Sequence, residues 1–276
     1  MKIALLQLNS CDDPAVNLPE TLRLIKEAAA KGADLILTPE VTNCVSASRS
    51  QQLAVLQPEE EDITLAAIRT EAEALGVWIA IGSVALKTDD PVGRFANRSF
   101  MINPTGDIAA WYDKIHMFDV DVSATETYRE SDGYRPGTRA VLVDTPFGKI
   151  GLSICYDVRF PYLYRDLAQA GADIILVPAA FSYLTGAAHW QTLLRSRAIE
   201  TGSFVLAAAQ TGTHAASKGM KRQTHGHSLV VAPWGEVIAD AGKQPGITMV
   251  DLDLSEVSHA RKRIAALQHD REYSGP

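Results

Sequence analysis

KGADLILTPE at residues 31–40 and AGADIILVPA at residues 170–179 are near-copies, and the fold is read outward from this pair. The first copy follows a helical stretch from Leu18 to Ala30 that stops at Lys31-Gly32. It then runs through a short apolar strand into Pro39. The surroundings of the two copies repeat in the same order. KIALLQL from Lys2 precedes the first, and KIGLSICYD from Lys149 precedes the second. Glu60–Ala74 is helical and leads to GVWIAIGS from Gly76, which GSFVLAAA from Gly202 answers after its own helix. SFMINPTGDIA from Ser99 and SLVVAPWGEVIA from Ser228 both turn at Pro-x-Gly, as hairpins do. Each half therefore reads β-α-β-α-β-β. Two such halves pair their sheets face to face with helices outside, so the α/β chain is expected to form one duplicated α-β-β-α sandwich over 1–276. Lys114 to Arg139, between the halves, holds no clear element and is a candidate functional loop.

Composition narrows the function classes. The 276 residues are 46% apolar and 21% charged, an ordinary globular balance with enough length for a large core. A net charge of -7 with scattered Lys and Arg argues against nucleic acid as a partner. MKIALLQL lacks the basic start and cleavage site of a secretory signal, and no apolar run reaches the roughly 18 to 20 residues of a membrane helix. Cys11, Cys44 and Cys155 show neither paired nor metal-ligand spacing, so neither a disulfide framework nor a metal site is expected. A reducing cytoplasm suits such a chain.

In α/β folds reactive groups gather beyond the carboxyl ends of strands. Glu40 ends ADLILTPE, Lys114 follows IAAWYD, and Cys155 ends KIGLSI. The duplication sets Glu40 opposite Ala179 or Ala180, so one site is expected, not two. A cysteine at a strand end is most often a small buried hydrophobe. Here the polar turn Tyr156–Pro161 and a helix from Pro161 make an elbow that exposes a thiol beside backbone N–H groups. Cys11 and Cys44 lack that elbow and read as incidental. Partial burial after LILTP suits Glu40 to act as a general base. Lys114, between Asp113 and His116, reads either as a surface ion pair or as a charge that favours thiolate and oxyanion. Glu130 alone reads as a solvated loop residue. His189 offers a Cys-His dyad but more simply caps or packs a helix, and His225-Gly226-His227 is too weak a spacing for a metal.

TPE at Glu40, DKIHMFD around Lys114 and ICYDVRFP around Cys155 together resemble the Glu-Lys-Cys signature of the nitrilase superfamily. The resemblance spans the whole chain and implies an α-β-β-α sandwich. It implies attack of Cys155 on a small carboxamide, Glu40 as base and acid, a thioester intermediate, and ammonia release. Lys114 and the Tyr156 N–H would hold the oxyanion, Glu130 within YRES would support the lysine, and Phe181 would line the pocket. CYDVRFP is similar to the amidase branch containing omega-amidases and deaminated-glutathione amidases, whereas nitrilases proper carry Cys-Trp-Glu. AAAQTGTH from Ala207 leans toward the deaminated-glutathione side. Arg159 reads as a carboxylate anchor or as a partner of Asp157. An N-carbamoyl-amine hydrolase and a catalytically silent interaction module are the competing readings. Family members dimerise through helices, which implies a homodimer with Arg165, the helix 161–170 and the tail from Arg263 at the interface. Tyr162 after Arg-Phe-Pro, Ala187 in TGAAHW, VTNCVSAS after Glu40 and the tail 263–276 depart from the family pattern and leave substrate choice open.

Overall fold

Alternation along β1 (Lys2–Gln7) shows how one sheet is buried on both faces. Ile3 and Leu5 point one way into a core shared with the second sheet, and Ala4 and Leu6 point the other way into a core shared with helices. The computed structural model describes residues 1–123 and 126–275. After β1 come α1 (Pro14–Ala30), β2 (Leu35–Leu37), α2 (Arg49–Val55), α3 (Ile63–Leu75), β3 (Trp78–Leu86), β4 (Ala96–Ile102) and β5 (Ile108–Asp113). A ribbon of β6 (Asp119–Ser123) and β7 (Glu126–Arg129) leads into a single turn, α4 (Glu130–Gly133). The second half is β8 (Val141–Thr145), β9 (Gly148–Leu152), α5 (Pro161–Gln169), β10 (Ile174–Leu176), α6 (Tyr183–Thr201) and β11 (Phe204–Ala207). It continues through β12 (Thr211–Thr213), β13 (Gln223–His225), β14 (Leu229–Val231), β15 (Val237–Asp240), β16 (Gly246–Asp251) and α7 (Ser255–Arg263).

The two sheets have the same plan. One runs β16-β1-β2-β3-β4-β5 and the other β8-β9-β10-β11-β14-β15. In each, the second, third and fourth strands are parallel and the outer pairs antiparallel. The repeat extends to backbone angles. α3 ends on Gly76 at φ 65, ψ 34, and α6 ends on Gly202 at φ 58, ψ 34, a left-handed stop that favours glycine. Leu24, Ile25 and Ala28 of α1 and Leu65, Ile68 and Ala72 of α3 cover the first sheet. Leu163 and Leu167 of α5 and Trp190, Leu194 and Ala198 of α6 cover the second. The expected α-β-β-α sandwich is what the chain forms.

Three features differ from the sequence reading. The segment 114–139 contains the β6–β7 ribbon, whose strands lie outside both sheets and so carry no buried stripe. The edge strands β8 and β16 were also not anticipated; their residues are mostly half-buried, which blurs the alternation. Finally, β16 completes the first sheet although it follows the whole second half, which interlocks the halves.

The two copied Pro turns converge on Gly82 of β3. A Cβ on Gly82 would stand 2.0 Å from the Thr38 carbonyl oxygen and 2.5 Å from Pro178 Cβ. The β3–β4 register shifts there, between Ile81 and Val84, freeing Ser83 Oγ to accept a 2.8 Å hydrogen bond from the Val41 N–H. This crossing fixes the turn that carries Glu40.

Candidate active site

Each strand-end residue is presented by a short, strained or tightly bonded turn. Glu40 follows Pro39, and Val41 after it has φ 47. Cys155 opens a three-ten turn (Cys155–Arg159) at φ 49, held by its own N–H donating 2.9 Å to the Pro178 carbonyl. Left-handed backbone at a non-glycine residue costs on the order of 1 kcal/mol or more, and such residues cluster at functional sites. Asp157 props the elbow: its carboxylate accepts from Ile154 N–H (2.8 Å), Tyr112 Oη (2.7 Å) and His116 N–H (3.0 Å), and pairs with His116 Nδ1 at 2.7 Å.

Glu40, Lys114 and Cys155 line one cavity of about 720 Å³, and their relative exposures are 4%, 2% and 8%. Lys114 Nζ donates 2.9 Å to Glu40 Oε1 and 2.9 and 2.8 Å to the two oxygens of Glu130. Glu130 also accepts from the Phe118 N–H at 2.6 Å. The Ala180 N–H donates 2.7 Å to Glu40 Oε2. Lys114 is thus no surface pair: Asp113 turns away to Arg98, at 2.6 and 2.8 Å.

The electrostatics set the resting protonation. Burial opposes the Glu40 charge, yet the Lys114 charge and the hydrogen bonds to it hold the carboxyl below its ordinary range. Burial opposes the Lys114 charge too, but Glu130 and Glu40 raise its ammonium well above the usual value. Burial and the Glu40 charge push the Cys155 thiol well up, against the lowering effect of Lys114. A carboxylate, an ammonium and a protonated thiol face one cavity. That arrangement can take a proton from sulfur only as sulfur attacks an electrophile.

A model of the carbon-nitrogen hydrolase family matches residues 2–262. The chain belongs to the carbon-nitrogen hydrolase family. Deaminated glutathione amidase of Yersinia enterocolitica is 38% identical over 270 residues, covering 98% of this chain and 92% of the relative. Among solved structures, Nit3 of Saccharomyces cerevisiae, a member of branch 10 of the nitrilase superfamily, superposes with a TM-score of 0.85 at 28% identity, covering 98% of this chain and 96% of that one. A mutant amidase from Nesterenkonia sp. AN1, holding the acetamide moiety of fluoroacetamide on its active-site cysteine, gives 0.79 at 26% identity, covering 98% and 94%.

Within this carbon-nitrogen hydrolase the remaining expected residues are placed as follows. Phe181 is buried in the cavity wall against Trp190, with ring centroids 4.8 Å apart. Tyr156 also lines the cavity, and among the described residues no acceptor takes its N–H. Arg159 stands behind both, its Cζ 5.9 Å from the Tyr156 ring and 5.5 Å from the Phe181 ring, and hydrogen-bonds His189 Nδ1 at 3.3 Å. The pairing of Arg159 with Asp157 does not occur, because Asp157 is spent on the elbow and on His116. His227 instead joins Asp240 at 2.9 Å, and among the described residues no group of three His, Cys, Asp or Glu is placed to hold a metal. Cys11 and Cys44 are free, and burial pushes the Cys44 thiol up to about 12.

One site residue escaped the sequence reading. Asn97 is 2% exposed, and its Nδ2 donates 2.9 Å to Glu40 Oε1 while its Oδ1 has no partner among the described residues. Its backbone carbonyl accepts the Lys114 N–H at 3.0 Å. The available signal was a lone amide inside the apolar β4 pattern ANRSFMI, where burying an amide needs a partner.

Proposed function

We propose that this carbon-nitrogen hydrolase is a cysteine amidase acting on small linear amides, of the deaminated-glutathione or ω-amide type. The observation carrying the reading is the buried Glu40–Lys114 pair beside a protonated Cys155 thiol. As Cys155 Sγ bonds to the carboxamide carbon, Glu40 takes the thiol proton and negative charge develops on the carbonyl oxygen. Lys114 and the Tyr156 N–H stabilise that oxygen. Glu40 returns the proton to nitrogen, the C–N bond breaks, and ammonia leaves a thioester. Glu40 then deprotonates water for attack on the thioester, and the recovered proton regenerates the thiol. Glu130 positions Lys114 throughout. No step calls for a metal or organic cofactor. The relatives' names support the substrate type, and the family match supports C–N bond hydrolysis.

Two further expectations belong to the same reading: a homodimer built on α5 and the tail, and a cytoplasmic location. Among the described residues no helix is long and apolar enough to cross a membrane.

The decisive experiment is a substrate panel of deaminated glutathione, α-ketoglutaramate and N-carbamoyl amines with ammonia as readout. Release from the first two, lost by about 10,000-fold or more in Cys155→Ala, is expected. Preference for the carbamoyl amines, or normal turnover in the variant, defeats the proposal.

A further inference from the structure

We propose that Arg222 binds a carboxylate on the tail of the substrate, so that this site selects anionic linear amides. This inference rests on the amidase reading above. The cavity extends well beyond its reacting floor, and cations stand along its outer lining: Arg129, Lys221 and Arg222. Arg129 is already committed, bonded to Asp121 at 2.8 and 3.1 Å and to the Val120 and Tyr128 carbonyls. Lys221 is exposed and has no fixed partner among the described residues. Arg222 differs from both. It is half-buried, and its guanidinium is seated by one hydrogen bond, Nη2 to the Ala180 carbonyl at 3.3 Å. A guanidinium carries five N–H donors in a planar fork suited to a carboxylate. Among the described residues no carboxylate pairs with it, so most of that fork is unused in a site where an unpaired charge is costly.

The placement supplies direction. Ala180 donates its N–H to Glu40 and offers its carbonyl to Arg222, so the guanidinium is anchored at the same residue that holds the base. A substrate with its carboxamide at Cys155 would extend its far end along Ala180–Ser182 toward the cation. The carboxylates that share the lining are bonded to other groups and not to Arg222. Glu40 and Glu130 are both bonded to Lys114, and Glu126 accepts from Ser182 Oγ at 2.9 Å and Tyr128 Oη at 2.8 Å. Glu126 can further accept an N–H from a peptide-like tail. Arg159, which sequence offered as a carboxylate anchor or as a partner of Asp157, lies over the Tyr156 and Phe181 rings rather than lining the cavity.

The test compares a length series of dicarboxylic acid monoamides with neutral alkyl amides of matching length. The wild type is expected to prefer the anionic series at one length, and Arg222→Ala to reduce that preference in kcat/KM by about 10- to 100-fold, mostly through KM. Arg222→Lys should retain part of the preference, and Arg222→Glu should turn it toward ω-amino amides. An equal fall for both series in Arg222→Ala overturns the proposal, since it marks a structural role. If the wild type hydrolyses both series without preference, the amidase reading stands and the anchor falls. If it hydrolyses neither, the amidase reading itself falls. Should Arg222→Ala not fold, inhibition of the wild type by free dicarboxylates decides: competitive inhibition stronger than by uncharged analogues supports the anchor, and its absence removes it.

Discussion

Lys114 stands between two carboxylates and can neutralise only one of them. The cluster Glu40–Lys114–Glu130 therefore holds a net negative charge, which adds to the effect of burial in keeping the proton on the neighbouring thiol. Removing the lysine leaves the buried Glu40 carboxylate facing the half-buried one of Glu130. Lys114→Ala should cost about 3–5 kcal/mol in a urea titration and lower kcat by about 100- to 1,000-fold. The pH profile follows from the same charges. Glu40 stays ionised below the ordinary carboxylate range, so its contribution to stability and its basicity are present above that range and fade only as pH falls through its lowered pKa. Lys114 and Cys155 titrate far to the alkaline side. A broad neutral plateau in kcat/KM is expected. Asn97→Asp would set a second negative charge 2.9 Å from Glu40 and should move the acid limb upward by about one pH unit. An acid limb that stays put in that variant would show that Asn97 does not hold Glu40.

Gly82 shows what a single close approach demands of its element. A methyl group there has no room against the Thr38 carbonyl and Pro178, so Gly82→Ala should destabilise by about 1–3 kcal/mol and displace the Glu40 turn. Thermal melts and kcat measured together check this, and unchanged values for both would contradict the crossing described. Elements with two buried faces, such as β2 and β10, were legible in sequence because their apolar runs are uninterrupted. The edge strands β8 and β16 and the β6–β7 ribbon were not, since their half-exposed residues leave no buried apolar stripe. At the site, the strand-end logic reached Glu40, Lys114 and Cys155. Asn97 sits at the start of β4 and gains its role only from the neighbouring strand and turn, a relation that local pattern does not encode. Arg222 likewise depends on a loop folded over the cavity.

Taken whole, the molecule should unfold once. The shared core between the sheets and the crossing of β16 make separate melting of the halves unfavourable, so calorimetry should give one cooperative transition. Two resolved transitions would show the halves to be independent. Acid weakens the structure through a residue that takes no part in the proposed chemistry. His214 is buried between the Ser10 carbonyl and Thr224 Oγ1, each at 2.7 Å, and burial brings it down to about 4. The unfolded chain binds that proton near pH 6.5, the folded chain only near 4, so stability is full above 6.5 and declines as pH falls. The loss by pH 4 is about 3 kcal/mol, and His214→Gln should remove most of it in melts taken at both pH values.

The late arrival of β16 also matters to the chain as it is made. β1 leaves the ribosome well before its antiparallel neighbour at Gly246–Asp251. At about 5–20 residues per second, that edge waits on the order of ten seconds to nearly a minute for its partner. Until β16 emerges, the nascent first half presents an open strand, and only then is it closed off.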